Sequence, residues 1–434
     1  MKILKRLWIV RRLKKQFYEW DASTLREHQT HRVAQVLAHA RQESPYYGSV
    51  LSAGGDLASA PIMDKATMMA HFEEINTAGL PRDALVQFRI QQERAGALGL
   101  YRDGFSVGLS SGTSGSRGLT VLSKAERELY GCLLWARNGI PEHVKNYRVL
   151  FALRTNNPSF MEPRSFGVKL VYVDYTHSPA ELARLVDEKK LNVLAGPPSL
   201  LSMIARHRQS IQHPLDALIS YAEVLDDEVR AYLEQTFDAP VVQIYQGAEG
   251  FIGSTCREGK LHLNEDILLV EQGDVGDASG KVKKAIITDL YRTTQPIIRY
   301  ALDDLLEMDP GPCACGSCFR VIKRIHGRAD DIFLLQGASG ETRHLFPDYV
   351  RRAINQASDA ILEYQAIQHA VDAIEIRLVL KAGAERAAIE KAIRQNLAWR
   401  ADQVGAPLGD VRFNDRSPER NAQSHKLIRV LRRF

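Results

Sequence analysis

The stretch Val193-Leu-Ala-Gly-Pro-Pro-Ser-Leu-Leu-Ser-Met-Ile-Ala-Arg-His207 joins a short apolar run to a segment whose apolar residues recur at helical spacing. The run, which ends at Gly-Pro, is typical of a buried strand, and residues 198–207 predict a helix. The same pattern recurs outward in both directions, with strands predicted at 148–152, 169–173, 217–220 and 240–245 and a helix at 179–188. This alternation predicts an α/β fold with a doubly wound, mostly parallel sheet.

Outside this region of alternating strands and helices, the sequence pattern changes twice. Strands predicted at 261–263, 267–270, 285–288 and 296–300 follow one another without long helices, which indicates an antiparallel or barrel-like subregion. Near Gly327 the composition shifts to an α+β pattern, with strands around 332–335 and 373–380 and helices at 344–355 and 385–400. We therefore expect a large N-terminal domain, 1–326, and a small, mobile α+β C-terminal domain, 327–434.

The composition is that of an ordinary soluble protein. The chain has 434 residues, of which 45% are hydrophobic and 25% charged, and a net charge of +5. No basic stripe rich in aromatic residues favours nucleic-acid binding. Five cysteines in a chain of this length do not predict a disulfide scaffold.

The first fifteen residues predict an amphipathic basic helix. Ile3, Leu7, Val10 and Phe17 recur at helical spacing with lysines and arginines between them. Two interpretations stay open: the helix packs on its own domain, or it lies on an anionic membrane surface. Neither a signal peptide nor a membrane span fits, because Arg11-Arg12 interrupts the apolar run. We expect a cytoplasmic protein, either free or peripheral to a membrane.

A loop of hydroxyls and glycines, Ser110-Ser-Gly-Thr-Ser-Gly-Ser-Arg-Gly118, lies between predicted strands at 105–109 and 119–122. Its glycines let successive backbone N–H groups turn toward an anion, and its hydroxyls add donors. The alternative is a flexible linker. No Gly-Lys-Ser/Thr follows at the required spacing, so the loop is not a P-loop of the Walker type. It predicts a site for the phosphates of ATP.

Four segments now stand in order: this loop, Tyr245-Gln-Gly-Ala-Glu249, Arg299-Tyr-Ala-Leu-Asp-Asp304 and Gly327-Arg-Ala-Asp-Asp331, with Lys426 near the C-terminus. The order resembles the ANL superfamily of adenylate-forming enzymes and, within it, the phenylacetate-CoA ligase family. The resemblance extends from about Val33 to the last residues. Its more specific pieces are residues 261–266, residues 288–300 and Cys313-Ala-Cys-Gly316.

The resemblance implies a role for each segment. Thr113, Glu249 and Lys426 would be catalytic: Glu249 as a carboxylate for Mg²⁺, and Lys426 as the cation that stabilises charge when a carboxylate attacks the α-phosphorus of ATP. Asp304 would accept hydrogen bonds from the ribose, and Asp330 would be a hinge. The implied cofactor-binding residues are Ser110, Ser111, Gly112, Ser114, Gly115, Arg117, Gly118, Ala222, Glu223, Tyr245, Gln246, Gly247, Asp304, Arg328 and Asp330.

The implied activity is ATP-dependent conversion of a carboxylic acid to acyl-AMP, followed by transfer to coenzyme A. Transfer to an amine, giving an amide, stays open as an alternative. The predicted pocket contains Phe160, Met161, Leu200 and Phe251, which favours an aryl or medium-length acyl acid. A different class, a non-catalytic zinc-containing binding protein, is the remaining alternative.

The cysteines are unevenly spaced in a way that suggests a metal. Zn²⁺ takes four nitrogen or sulfur ligands, and the Cys313-x-Cys315 pair resembles the family. Cys256 and His262, close together around a turn, could complete the set. We expect a structural zinc site formed by Cys256, His262, Cys313 and Cys315, with Cys318 in reserve. The alternative is reduced free thiols and a surface histidine.

Overall fold

The structure is a computed structural model. It describes residues 2–434 except 53, 96, 98, 103, 110–117, 142–143, 145, 153–167, 174–176, 276, 278–279 and 421–426. Among the described residues, no helix has both the length and the hydropathy needed to cross a membrane.

The first hundred residues are mainly helical, as predicted. Asp21 and Asp64 each start a helix by accepting a hydrogen bond from the backbone N–H three residues later, at 2.7 Å in both cases. The helices are α1 (Lys2–Glu19), α2 (Ala22–Glu43), α3 (Pro45–Val50), α4 (Lys65–Ala70), α5 (Phe72–Ile75) and α6 (Arg82–Arg94). Helix α7 (Lys124–Ala136) follows a two-stranded hairpin, β1 (Ser106–Leu109) with β2 (Leu119–Leu122), whose strands flank the predicted phosphate loop.

A sheet of eleven described strands forms the centre of the protein. Its parallel half contains β3 (Arg148–Ala152), β4 (Lys169–Val173), β5 (Val193–Gly196), β6 (Ala217–Ser220) and β7 (Val241–Gly247). The intervening helices are α8 (Pro179–Glu188), α9 (Pro198–Ala205) and α10 (Asp227–Phe237). The prediction of a parallel, helix-covered sheet is confirmed.

Alternate residues of these strands face two different cores. Leu150, Leu194 and Leu218 pack in one cluster with the apolar side chains of α8, α9 and α10. Val149 and Val193 pack in a second cluster with residues of α1, α2 and α7. Because successive side chains of a strand point to opposite faces, this division means that helices cover both faces of the parallel half.

The other half of the sheet is antiparallel. It contains β8 (Gly250–Thr255), β9 (Leu261–Leu263), β10 (Leu268–Gly273), β11 (Val282–Asp289), β12 (Tyr300–Asp309) and β13 (Val321–Arg328), and the whole sheet has the order β10-β11-β12-β13-β9-β8-β7-β6-β5-β3-β4. The first half of β7 pairs with β6 in parallel and its second half pairs with β8 antiparallel. Within the described ranges β10 and β4 are the two edges, so the barrel-like subregion is an open antiparallel extension rather than a closed barrel.

One predicted strand, 296–300, is wrong. The strand β12 begins only at Tyr300, and the apolar residues before it are buried in a loop, Ile297 and Ile298 being 2% and 0% exposed. Arg299 has a φ of 45°, outside the strand region, and its guanidinium bonds Glu271 at 2.9 and 3.0 Å. The apolar residues before Tyr300 are therefore part of the core without being in a strand. Their sequence pattern is the same as that of a short buried strand.

The C-terminal region has a core of its own, built from residues between Phe333 and Val430. It contains the hairpin β14 (Phe333–Gln336) and β15 (Thr342–Leu345), helices α11 (Pro347–Asn355) and α12 (Arg386–Gln403), and a sheet of β18 (Asp410–Asn414), β17 (Ala373–Leu380), β16 (Ile361–Ala370) and β19 (Val430–Arg432). The domain division at 326/327 stays a prediction. Strand β13 of the large sheet continues two residues past it, to Arg328.

Candidate active site and metal cluster

The turn between β7 and β8 carries the predicted Tyr245-to-Glu249 segment. The Tyr245 hydroxyl donates a hydrogen bond to a carboxylate oxygen of Asp304 at 2.7 Å. Burial, reinforced by the charge of Asp304, raises the pKa of Tyr245 well above its usual value, so this hydroxyl stays protonated and remains a donor. The Tyr130 hydroxyl donates to the side-chain oxygen of Gln246. A Cβ on Gly247 would lie 2.5 Å from a carboxylate oxygen of Glu249, so this carboxylate folds back over the turn.

Strands β12 and β13 bring the next predicted residues to the same place. Asp304 is paired with Arg328 in the register of the two strands. Its neighbour Asp303 lies 3.7 Å from the ammonium group of Lys284. The structure therefore brings Tyr245, Asp304 and Arg328 together from three separate strands, as the resemblance implied. Asp330 is exposed in the single helical turn Ala329–Asp331 that follows β13.

Carboxylates crowd this site. Burial raises the pKa of Glu249, and the nearby charge of Asp304 raises it further, while Arg292 and Arg328 oppose both effects. The Tyr300 hydroxyl is hydrogen-bonded to Glu249. Burial also raises the pKa of Asp303, with the charge of Asp330 adding to the effect. The site thus concentrates negative charge on oxygen atoms that suit a hard cation.

Lys65 is a residue of this site that the sequence analysis missed. The charges of Glu249, Asp303 and Asp330 all act on its ammonium group, although burial has the larger effect and lowers its pKa. Lys65 reaches the site because the preceding Met63 pairs with the beginning of β12, donating to Arg299 O at 2.9 Å and accepting from Ala301 N at 2.8 Å. The sequence around Lys65 does not indicate this contact. The Asp64 helix cap indicates only that Lys65 lies in the first turn of a helix.

Arg292 is the second missed residue, and it is 5% exposed. Its guanidinium donates to the carbonyl oxygens of Ala248 at 3.0 Å and Glu249 at 3.3 Å. On its other side it donates at 2.9 Å to the Thr120 hydroxyl of β2 and to the Gln295 side chain. One side chain thus ties the turn that carries Glu249 to the strand that follows the predicted phosphate loop. Its place within residues 288–300, which carry part of the family resemblance, is the signal that could have indicated it.

The remaining predicted residues divide into two groups. Lys426 and most of the predicted phosphate loop lie outside the described residues. The loop residues concerned are Ser110, Ser111, Gly112, Thr113, Ser114, Gly115 and Arg117. Gly118 is described and lies directly before β2. Of the residues near β6, Ala222 has a φ of 66°. Glu223 accepts hydrogen bonds from the backbone N–H and the hydroxyl of Ser199, at 3.3 and 3.0 Å, and so contacts the beginning of α9.

A separate cluster contains all four predicted metal ligands. One ligand atom from each of Cys256, His262, Cys313 and Cys315 lies within 4.8 Å of the others. The sulfurs of Cys256 and Cys313 are 3.9 Å apart, and the Cys315 sulfur is 3.6 Å from His262 Nε2. In a tetrahedral zinc site the corresponding separations are about 3.8 Å and about 3.6 Å. The spacing therefore fits zinc, and Cys318 is not a member of the group.

The surroundings of this cluster orient its ligands. His262 Nδ1 lies 2.8 Å from the Phe319 carbonyl oxygen, which can only accept, so Nδ1 carries the proton and Nε2 is left to bind a metal. The backbone N–H groups of Glu258 and Ser317 point at the sulfurs of Cys256 and Cys315, each at 3.4 Å. Phe17 of α1 packs against the His262 ring, with centroids 5.4 Å apart. The cluster therefore joins the sheet to the first helix.

Comparison with known proteins supports the resemblance, although no protein-family model matches the sequence. The chain is 30% identical to Protein CapK of Staphylococcus aureus over 224 residues, which are 49% of this chain and 48% of CapK, so the match spans about half of that relative. It is 22% identical to the phenylacetate-coenzyme A ligase of Thermus thermophilus over 376 residues, 79% of this chain and 78% of that enzyme.

A solved structure shows the same fold. The crystal structure of 2-hydroxyisobutyryl-CoA ligase in the postadenylation state, in complex with 2-HIB-AMP, superposes with a TM-score of 0.71 at 18% identity, covering 96% of this chain and 91% of the other. That protein and the Thermus thermophilus relative are both coenzyme A ligases. The chain is thus similar over most of its length to the phenylacetate-coenzyme A ligase of Thermus thermophilus, and it has the fold of 2-hydroxyisobutyryl-CoA ligase.

Proposed function

We propose that this protein activates a carboxylic acid with ATP to form an acyl-AMP, and then transfers the acyl group to coenzyme A. The observation that carries the proposal is the convergence of Tyr245, Glu249, Asp304 and Arg328 at the junction of the parallel and antiparallel halves of the sheet. Ligands of such folds bind beyond the carboxyl ends of parallel strands, and the β7–β8 turn lies there.

In this proposal Asp304 holds the ribose. An ionised carboxylate accepts strong hydrogen bonds from hydroxyl groups, and the bond from Tyr245 fixes its orientation. Arg328, opposite Asp304 on β13, supplies positive charge to the same place. Arg292 keeps the Glu249 turn and β2 at a fixed separation, so that the carboxylate and the phosphate loop act on one ligand.

The site also suits Mg²⁺. Glu249 and Asp303 are raised in pKa by burial and by neighbouring carboxylates, which is the crowding that a divalent cation relieves. When bound with ATP, the ion would neutralise phosphate charge. Glu249 is the residue that we assign to hold it. The ammonium group of Lys65, in α4, adds positive charge next to the same carboxylates.

The chemistry has two steps. A carboxylate oxygen of the acid attacks the α-phosphorus of ATP, the bond to the β-phosphate oxygen breaks, and pyrophosphate leaves. The thiol of coenzyme A then attacks the acyl carbon, AMP leaves, and the thiol proton is released. Lys426 would stabilise the charge of the first step, and Thr113 with its neighbours would bind the outer phosphates; both assignments rest on the resemblance alone.

We further propose that the region 327–434 moves between the two steps, with Asp330 as the hinge. The junction that would rearrange contains charged contacts beside an apolar cluster of Val282, Leu305, Ile332 and Phe346. Arg351 of α11 bonds Asp226 at 3.2 Å, and Arg352 bonds Asp227 at 3.0 Å, both at the beginning of α10. The pair with the exposed Asp227 contributes little stability, whereas the Arg351–Asp226 pair is buried and would have to break when the region moves.

The Cys256, His262, Cys313 and Cys315 cluster is proposed as a structural zinc site. Four ligands fill a tetrahedral zinc, so no position remains for a substrate. Of the four residues that the sequence assigns to the acid pocket, Leu200 and Phe251 are described, and they pack in two different apolar clusters. An aryl or medium-length acyl acid as the substrate therefore rests on the sequence of the predicted pocket alone.

Exchange of labelled pyrophosphate into ATP tests the first step. The account predicts exchange that depends on one or a few acids of a broad panel and that is reduced in Asp304→Asn. No acid-dependent exchange across the panel would refute the ligase assignment. Faster AMP release with coenzyme A, and not with amines, is expected for the second step; acceleration by amines alone would replace the thioester with an amide.

A further inference from the structure

Helix α1 has one face that belongs to the protein core. Val10, Leu13 and Phe17 are 6%, 0% and 2% exposed, and the first two pack in the cluster that includes residues of α7. Arg6 lies 3.4 Å from Glu128 of α7. These contacts fix the orientation of the helix, and they confirm that it packs on its own domain. Its opposite face is therefore held outward.

The outward face is unusually apolar in its first two turns. Leu4, Leu7 and Trp8 are 73%, 49% and 61% exposed, and among the described residues no large apolar side chain is more exposed than Leu4 and Trp8. Continuing along the same face at helical spacing come Arg11 and Lys15, both exposed. The face thus changes from apolar to basic along its length.

Positive charge is concentrated on this helix. Between Leu4 and Glu19 there are six basic residues and one acidic residue, an excess equal to the net charge of +5 carried by the whole chain. These basic residues lie close to the exposed apolar side chains along the helix. The guanidinium of Arg12 lies 5.3 Å from the centre of the Trp8 ring, which supports the indole beside a cation.

We infer that α1 docks this protein on an anionic bilayer surface, with Leu4, Leu7 and Trp8 inserted among the lipids and Arg11 and Lys15 at the phosphate groups. An amphipathic helix binds such a surface through buried apolar area together with attraction to anionic lipids, and tryptophan is favoured at the interface. Charge complementarity selects the anionic bilayer as the occupant. The apolar group argues against nucleic acid, whose phosphates would pair with the basic residues and leave Leu4 exposed. The inference does not depend on the proposed enzymatic activity.

Sedimentation of the full-length protein with lipid vesicles tests this inference. We expect binding to vesicles of phosphatidylcholine mixed with phosphatidylglycerol, weak binding to phosphatidylcholine alone, and a decline with added salt. Arg11→Gln with Lys15→Gln should lower the partition coefficient roughly thirtyfold, since each basic residue contributes about fivefold at an anionic surface. Replacing Leu4, Leu7 and Trp8 by Ser should lower it by at least about tenfold.

The matched control is Trp399→Ser, an exposed tryptophan of α12 that is 52% exposed and remote in sequence from α1. It should bind vesicles as the wild type does. Brominated lipids should quench the tryptophan fluorescence of the wild type, and Trp8→Phe should abolish the quenching. An unchanged melting temperature shows that each variant is folded. Wild-type protein that does not sediment with anionic vesicles, α1 variants that bind equally well, or binding to DNA in preference to vesicles would each overturn the inference.

Discussion

Two sites use opposite ends of the same pair of strands, and they are built differently. The Cys/His cluster lies where the connection between β12 and β13 meets the β8–β9 hairpin, and its four ligands span residues 256 to 315. The acidic site lies where Asp304 faces Arg328, and it draws support from Lys65 and Arg292 as well. The first site is local and closed; the second is assembled from distant segments and is open to a ligand.

The two sites also differ in what orients their side chains. The cluster's ligands are oriented by backbone N–H groups that point at two of the sulfurs and by Phe17, which packs on the His262 ring. In the acidic site, burial and neighbouring carboxylates raise the pKa values of Glu249 and Asp303, so a bound cation would stabilise their ionised forms. Roughly 20–25 Å of strand separates the two ends, from the rise per residue of a β-strand.

The largest expected effect is loss of the metal cluster. Cys315→Ser should remove bound zinc and lower the free energy of unfolding by several kcal/mol, because metal binding contributes directly to folding. Elemental analysis and urea unfolding measure the two quantities. Cys318→Ser is the matched control, since Cys318 lies outside the four-ligand group. Equal stability of Cys315→Ser and the wild type would contradict a structural metal.

Next in size is the loss of the Asp304 carboxylate. Asp304→Asn should lower kcat/KM for pyrophosphate exchange about 10- to 100-fold, the value of a hydrogen bond to a charged group, while the protein stays folded. Asp303→Asn is the control: this neighbour contacts Lys284 and should have a smaller effect. If the two variants lost activity equally, the assignment of Asp304 to the ribose would be wrong.

Arg292 tests whether the acidic site depends on remote support. Arg292→Lys keeps the charge but cannot make the same forked set of bonds, so we expect the KM for ATP to rise about tenfold with a smaller change in kcat. Arg292→Met should be worse in both parameters and less stable. Pyrophosphate exchange as a function of ATP concentration gives the two constants. A uniform loss of active protein with an unchanged KM would indicate a merely structural role.

The smallest effect concerns pH and the proposed hinge. Burial, with help from Asp330, raises the pKa of Asp331 from 3.8 to about 7. Between about pH 4 and pH 7 the folded state therefore binds a proton that the unfolded state lacks, so this residue's contribution to stability falls as pH rises through that window. Asp331→Asn should weaken this decline, measured as unfolding free energy near about pH 5 and about pH 8. Asp330→Asn removes a charge that adds to the shift of Asp331, so it should weaken the decline too, but less than Asp331→Asn does.

The sequence predicted the parallel half of the sheet well because its central strands, β5 and β6, are buried on both faces and have continuous apolar runs. Strands β3 and β4 and helix α8 have the bounds that their apolar patterns indicated. The proximity of Cys256, His262, Cys313 and Cys315 was also predictable, because the spacing of sulfur and nitrogen ligands in zinc sites is recognisable in a sequence. Tyr245, Asp304 and Arg328 were found through family resemblance rather than periodicity.

The remainder depended on tertiary contacts that local sequence does not encode. Residues 296–300 have a strand-like composition but form a buried loop, because Arg299 turns to bond Glu271. Lys65 enters the acidic site only because Met63 pairs with the beginning of β12. Arg292 looks like any arginine in a turn until its bonds to Ala248 and Thr120 are seen.

The central claim is that the acid is activated at the α-phosphorus of ATP, and an oxygen label tests it most directly. The acid that supports pyrophosphate exchange would be supplied with both carboxylate oxygens as ¹⁸O, together with ATP, Mg²⁺ and coenzyme A. The account predicts that one ¹⁸O atom appears in the released AMP by mass spectrometry. Unlabelled AMP, or label found in inorganic phosphate with ADP as the nucleotide product, would contradict it.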